Sequence, residues 1–152
     1  MQKGDPLRGG PLMSATDWLI EGNFLYSKGR YAEAVRAYDE AVRLDPEDAD
    51  GWNKKGAALA ALGDHAGAIR ACNEAIRLDP EFTLAWNNRG FALRNLGRVL
   101  EAIEAYDEAL RIDPEYLRAW INKSSALEAL GMRAEAESAR GRAKELQSRR
   151  GI

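Results

Sequence analysis

The chain has 152 residues, 45% hydrophobic and 30% charged, with one Cys, one His and a formal net charge of −2. One Cys cannot close an internal disulfide, and with one His it cannot furnish a Cys/His zinc site. No apolar run is long enough to span a bilayer, the hydrophobic content is too high for a disordered chain, and the near-neutral balance does not fit a dedicated nucleic-acid binder.

Residues 1–14 carry Gly4, Pro6, Gly9, Gly10 and Pro11 and lack the apolar core of a signal peptide. They are expected to form a flexible leader, native or vector-derived, whose Leu7, Leu12 and Met13 could lie against whatever follows. Ser14 or Thr16 is placed to cap a first helix, with Asp17 in its first turn.

From there the sequence repeats. Trp18, Trp52, Trp86 and Trp120 are each 34 residues apart. Gly29, Gly63, Gly97 and Gly131 keep the same step, as do Ala34, Ala68, Ala102 and Ala136, and Ala41, Ala75, Ala109 and Ala143. Pro46, Pro80 and Pro114 follow it too, each preceded by Asp. Such a period is the signature of stacked supersecondary units. Each unit reads as two helices. The first carries the Trp and closes at the Gly, which tolerates the left-handed conformation of a helix end. The second runs to the Asp-Pro, where the residue before Pro leaves the helical region. In the third unit its apolar residues, Ala102, Ile103, Tyr106, Ala109, Leu110 and Ile112, share one helical face. Gly22, Gly56 and Gly90 recur inside first helices, with Ser124 in the fourth. An internal Gly costs about 1 kcal/mol relative to Ala, so a close approach by another group is expected at each.

The fourth unit differs in its second helix. Val35, Ile69 and Ile103 give way to Glu137; Tyr38, Cys72 and Tyr106 to Arg140; Val42, Ile76 and Leu110 to Lys144. Charge at positions that cover the next unit is the pattern of a terminal cap, so the solenoid is expected to end near Ser148.

A 34-residue unit with this Trp, Gly, Ala, Ala and Pro pattern resembles the tetratricopeptide repeat (TPR), and "AWNNRGFALRNLGRVLEAIEAYDEALRIDPEY" carries the likeness most fully. Leu25, Leu59, Leu93 and Leu127 stand where the family often has Tyr. The resemblance implies an all-α fold, a right-handed superhelical α-solenoid of four helix-turn-helix units at 15–48, 49–82, 83–116 and 117–150, the last helix acting as a cap. It also implies a concave groove lined by first helices.

At the groove-facing positions Asn recurs, as Asn23, Asn53, Asn87, Asn88, Asn95 and Asn122, although it is a mediocre helix former. Its amide both donates and accepts, which suits the backbone of an extended peptide. The expected peptide site comprises Asn53, Asn87, Asn88 and Asn122 for that backbone, Lys54, Arg94 and Arg118 for acidic groups, and Phe91 as an apolar anchor. A protein or peptide partner, acidic or presenting a C-terminal carboxylate, follows from the positive lean. Some TPR co-chaperones grip such a carboxylate with a Lys, Asn, Asn, Lys, Arg set. The corresponding residues here, Asn53, Ala57, Asn88, Arg118 and Asn122, match in kind only at Asn88, so the full clamp is not expected.

The first unit has Leu19 and Ile20 where the second and third have Asn53, Lys54, Asn87 and Asn88, which marks a self-association surface and leaves an assembly module as the alternative function. No enzyme chemistry is expected. Cys72 shares a core column with Tyr38 and Tyr106, His65 reads as a solvated turn residue, and the pairs Asp39–Glu40 and Asp107–Glu108 recur with the unit on a solvent face near Arg43 and Arg111. The reading therefore has no cofactor, metal, nucleic acid or membrane, and places the chain in the cytoplasm.

Overall fold

The computed structural model describes residues 12–151, and what was expected of residues 1–11 lies outside them. The described residues form eight helices: α1 (Ala15–Ser27), α2 (Tyr31–Leu44), α3 (Ala49–Ala61), α4 (His65–Leu78), α5 (Thr83–Asn95), α6 (Val99–Ile112), α7 (Leu117–Ala129) and α8 (Arg133–Arg150). Each odd helix packs on the even helix that follows it, and each even helix packs on the next odd one. First helices of successive units also touch, α3 with α5 and α5 with α7. The result is a right-handed α-solenoid with no strand among the described residues.

The helix ends follow from local chemistry. Ser14 caps α1 in a reciprocal box: its hydroxyl accepts from the Asp17 N–H at 3.1 Å, while the Asp17 carboxylate accepts from the Ser14 N–H at 2.8 Å. These bonds hold the Asp17 carboxyl below its usual range. Gly29, Gly63, Gly97 and Gly131 all adopt φ between 73° and 89°, which an L side chain resists. His65 opens α4, the second helix of its unit, and is half-buried rather than fully solvated.

No central core exists. Small apolar clusters bridge neighbouring units instead. One joins Leu25, Ala34, Ala37 and Tyr38 of the first unit to Ala58 of the second. The next joins Leu59, Ala68, Ile69 and Ala71 to Ala92, Leu93, Ala102, Ala105 and Tyr106, and reaches Ala126. The internal glycines answer to their ring partners. A Cβ at Gly22 would lie 2.6 Å from Tyr38 Cδ1, one at Gly90 2.6 Å from Tyr106 Cε1, and one at Gly56 2.8 Å from Cys72 Sγ. In the fourth unit Arg140 replaces the ring, and Ser124 fits with its hydroxyl donating to the Ile121 carbonyl at 2.8 Å.

Two polar contacts recur at the junctions. The indole N–H of Trp52, Trp86 and Trp120 donates to the carbonyl of Pro46, Pro80 and Pro114 at 3.0, 2.9 and 2.8 Å. The Trp thus ties the Asp-Pro turn to the next helix, besides filling space between helices. Lys55 pairs with Asp39 at 2.7 Å and Lys123 with Asp107 at 2.6 Å, and Arg89 donates to Asn73 at 2.9 Å. The acidic pairs are therefore divided in work. Asp39 and Asp107 reach the following unit, whereas Glu40 and Glu108 pair with Arg43 and Arg111 on their own helices. At α8 the columns that face a following unit carry Glu137, Arg140 and Lys144, of which Glu137 and Lys144 are exposed. Ala136, Ala139, Ala143 and Leu146 face inward and are buried.

Candidate peptide-binding site

A cavity of about 460 Å³ is bounded by odd-numbered helices alone. Tyr26 of α1 closes one end, and Arg118 and Asn122 of α7 close the other. Ala57, Ala60 and Ala61 of α3 form one wall, facing Asn87, Asn88 and Phe91 of α5. Small side chains on one side and a ring on the other leave an apolar slot, with amides and one guanidinium at its far end. Arg118 is the sole formal charge in this lining. Arg118 is exposed, so an incoming carboxylate could reach it.

The sequence-predicted residues separate into layers. Asn88, Phe91, Arg118 and Asn122 line the cavity. Asn53 and Asn87 are buried, at 4% and 2% exposure, and their carbonyl oxygens accept from the side-chain N–H of Asn88 at 2.9 Å and of Asn122 at 3.1 Å. Asn53 is thus a support, and Asn87 both holds Asn122 and lines the cavity. The column that holds Asn53 and Asn87 meets the next unit through these bonds. Each pair forms an amide rung between successive first helices. The rung spends one N–H of Asn88 and of Asn122 and leaves their carbonyl oxygens as acceptors. Lys54 turns toward Asp50 of its own helix, 3.6 Å away. Arg94 sits half-buried near Tyr106, whose hydroxyl feels its charge. Asn23 accepts from the Tyr38 hydroxyl at 2.7 Å, and Asn95 donates to the Phe91 carbonyl at 2.9 Å. Of the α3 alanines, Ala57 was placed on the groove by the sequence, whereas Ala60 and Ala61 were not. The i, i+3, i+4 spacing of Ala57, Ala60 and Ala61 was the available signal.

Phe91 occupies the column held by Asn23 in the first unit. Tyr38 therefore has a partner, and the buried Tyr106 hydroxyl has none in the structure. Burial pushes the phenols of Tyr38 and Tyr106 up to about 12, with Arg94 partly offsetting this at Tyr106. Burial likewise pushes the Cys72 thiol up to about 12, so it stays protonated at neutral pH. A larger cleft, about 630 Å³, opens between α2 and α4 over Trp52. Its Asp39 and Lys55 already neutralise each other across the junction.

Profiles of the tetratricopeptide repeat match residues 21–82 and 83–116. The chain belongs to the tetratricopeptide repeat family. Its TPR fold is that of a protein–protein interaction module. Among solved structures it is similar to a crystal structure of MamA, with a TM-score of 0.83 and 26% identity over 90% of this chain and 80% of that one. It is also similar to the first TPR of Spaghetti (RPAP3) bound to the HSP90 peptide SRMEEVD, with a TM-score of 0.75 and 27% identity over 78% of this chain and 94% of that one. A third similar structure is the second TPR domain of human RPAP3 in complex with the HSP70 peptide SGPTIEEVD, with a TM-score of 0.72 and 26% identity over 77% and 98%. No curated protein sequence matches the chain. None of its described helices is long and apolar enough to cross a membrane.

Proposed function

We propose that this TPR module captures an extended, acidic segment of a partner protein along the face of its odd-numbered helices. The observation that carries the reading is the slot between the α3 alanines and Phe91, which runs toward Arg118 and the two amides held by the buried Asn rungs. Arg118 takes a carboxylate, Asn88 and Asn122 accept backbone N–H groups, and Phe91 packs on an apolar side chain. Arg94 stands behind Phe91 as a second source of positive charge. Lys54, paired with Asp50, and the buried Asn53 and Asn87 hold the site's shape. The rungs fix the amides before a ligand arrives, which reduces the ordering cost of binding. The peptides in the two RPAP3 structures end in Glu-Glu-Val-Asp, which supports an acidic ligand here. The reading has a cytoplasmic, non-catalytic protein, in keeping with its lone buried Cys.

Fluorescence anisotropy with a labelled acidic peptide library tests it. Arg118→Ala and Asn88→Ala should each weaken the best binder about tenfold, and binding should weaken as salt rises. Affinities indifferent to both changes would remove the reading. The second reading, an assembly module, is favoured by one observation: Ile20 on α1 is 62% exposed.

A further inference from the structure

Four columns of the first helix face the preceding unit wherever one exists. The first holds Gly51, Ala85 and Ala119, all buried. The second holds Lys54, Asn88 and Asn122; the two Asn donate back to Asn53 and Asn87, while Lys54 turns to Asp50 of its own helix. The third holds Lys55, Arg89 and Lys123, which reach back to Asp39, Asn73 and Asp107. The fourth holds Ala58, Ala92 and Ala126, each 0% exposed. In α1 the same columns carry Asp17, Ile20, Glu21 and Phe24. No unit precedes them among the described residues, and Phe24 is 52% exposed.

Two features exclude another unit stacked there in register. The ring of Phe24 stands where close packing has admitted only Ala. This chain's own far end offers Glu137, Arg140 and Lys144 in place of an apolar face. Nor does the stripe look like plain solvated surface. Ile20 and Phe24 form its apolar middle, and Lys28, one turn beyond Phe24, lies with its ammonium 5.6 Å from the Phe24 ring. Along α1 the stripe reads acid, apolar, base: Asp17 and Glu21, then Phe24, then Lys28. Asp17 is engaged in the helix cap, whereas Glu21 is exposed, its charge felt by Arg30. Such a stripe is complementary to itself when reversed, which is what a two-fold contact demands.

We propose that α1 pairs antiparallel with α1 of a second copy of this chain, about a two-fold axis passing near Phe24. The axis brings Phe24 against its own copy and sets Glu21 beside Lys28 of the second copy, twice by symmetry. Ile20 covers the flank. Leu19, which the sequence grouped with Ile20, packs inward on the first-unit cluster and lies outside the contact. The surface is separate from the peptide slot, so a failure here leaves peptide capture untouched, and the reverse also holds.

Sedimentation equilibrium of the full chain over a wide concentration range tests the proposal. Mass should rise from that of one chain to twice that value and stop there. Glu21→Lys and Lys28→Glu should each weaken the dimer about tenfold, since each turns two exposed attractions into repulsions, and the double change should restore it. Phe24→Cys should oxidise to a covalent dimer, because only a two-fold axis brings position 24 against itself; Cys72, 0% exposed, should not react. Circular dichroism checks that the variants fold. A chain that stays single at every concentration overturns the proposal, whether the leader or another protein covers α1. So do growth beyond two copies, absence of charge-swap rescue, or a Phe24→Cys chain that stays uncrosslinked.

Discussion

Tyr38 and Tyr106 occupy the same column and sit in opposite circumstances. Tyr38 donates to Asn23, whereas the Tyr106 hydroxyl is buried without a partner because Phe91 has taken the place of Asn. A buried hydrogen bond contributes about 1 kcal/mol net, and an orphaned hydroxyl costs a similar amount or more. Tyr38→Phe should therefore lower the unfolding free energy by about 1 kcal/mol, and Tyr106→Phe should leave it unchanged or raise it by up to about 1 kcal/mol. Urea titrations at neutral pH check the pair, and equal costs at both sites would contradict the argument. The same phenols set an alkaline limit. Their folded pKa lies near 12 against an ordinary 10.0, so they bind protons in the folded state that the unfolded chain has lost. Their contribution is complete below pH 10 and is lost as pH rises toward 12. The urea midpoint should fall across that window, less steeply in each Phe variant. Phe91 thus leaves the buried Tyr106 hydroxyl orphaned while its own ring lines the slot.

An element in this solenoid must satisfy two neighbours at once, and the glycine–ring pairs show how. Ala is the better helix former at position 90 by about 1 kcal/mol. Its Cβ would nevertheless fall 2.6 Å from the Tyr106 ring, which is packed on all sides. Gly90→Ala should therefore destabilise the chain by a net 1–3 kcal/mol, roughly the cost of overpacking, as read by chemical denaturation. The helices, their caps and the 34-residue step were legible because they depend on short-range rules: Gly at positive φ, Ser before the first turn, Pro after Asp. The destination of each face was not. Asn53 and Lys54 are one residue apart and therefore about 100° apart around α3. The period alone does not say which of two adjacent columns meets the neighbouring unit. That Asn53 and Asn87 brace Asn88 and Asn122 was for that reason not legible, although Asn87 also lines the cavity. The Trp-to-Pro bonds were likewise hidden, since a donor and acceptor six residues apart across a turn leave no periodic trace.

At the scale of the whole molecule, stability is a sum of units and junctions. The second and third units each have a neighbour on both sides, while α1 and α8 have one. Amide hydrogen exchange should thus be slowest in α4, α5 and α6 and fastest in the last turns of α8. Uniform protection from α1 to α8 would show that the chain opens only as a whole. If α1 pairs with a second copy, protection of α1 should also rise with protein concentration. The two ends differ in kind: one exposes Ile20 and Phe24, the other Glu137 and Lys144.

The bond from each indole to a Pro carbonyl has a geometric consequence. Three joints are closed by the same donor, the same acceptor and nearly the same length, so each holds its turn against the next helix in the same way. Any change of angle at one joint is carried along the chain. A small adjustment at the Pro80 joint swings Arg118 relative to Tyr26, which lie at opposite ends of the slot. Trp18 has Leu12 in the place of that proline, so it lies outside the series. The three clamped indoles act as the rivets of an arch, and the span of the slot is set at joints where no ligand need touch.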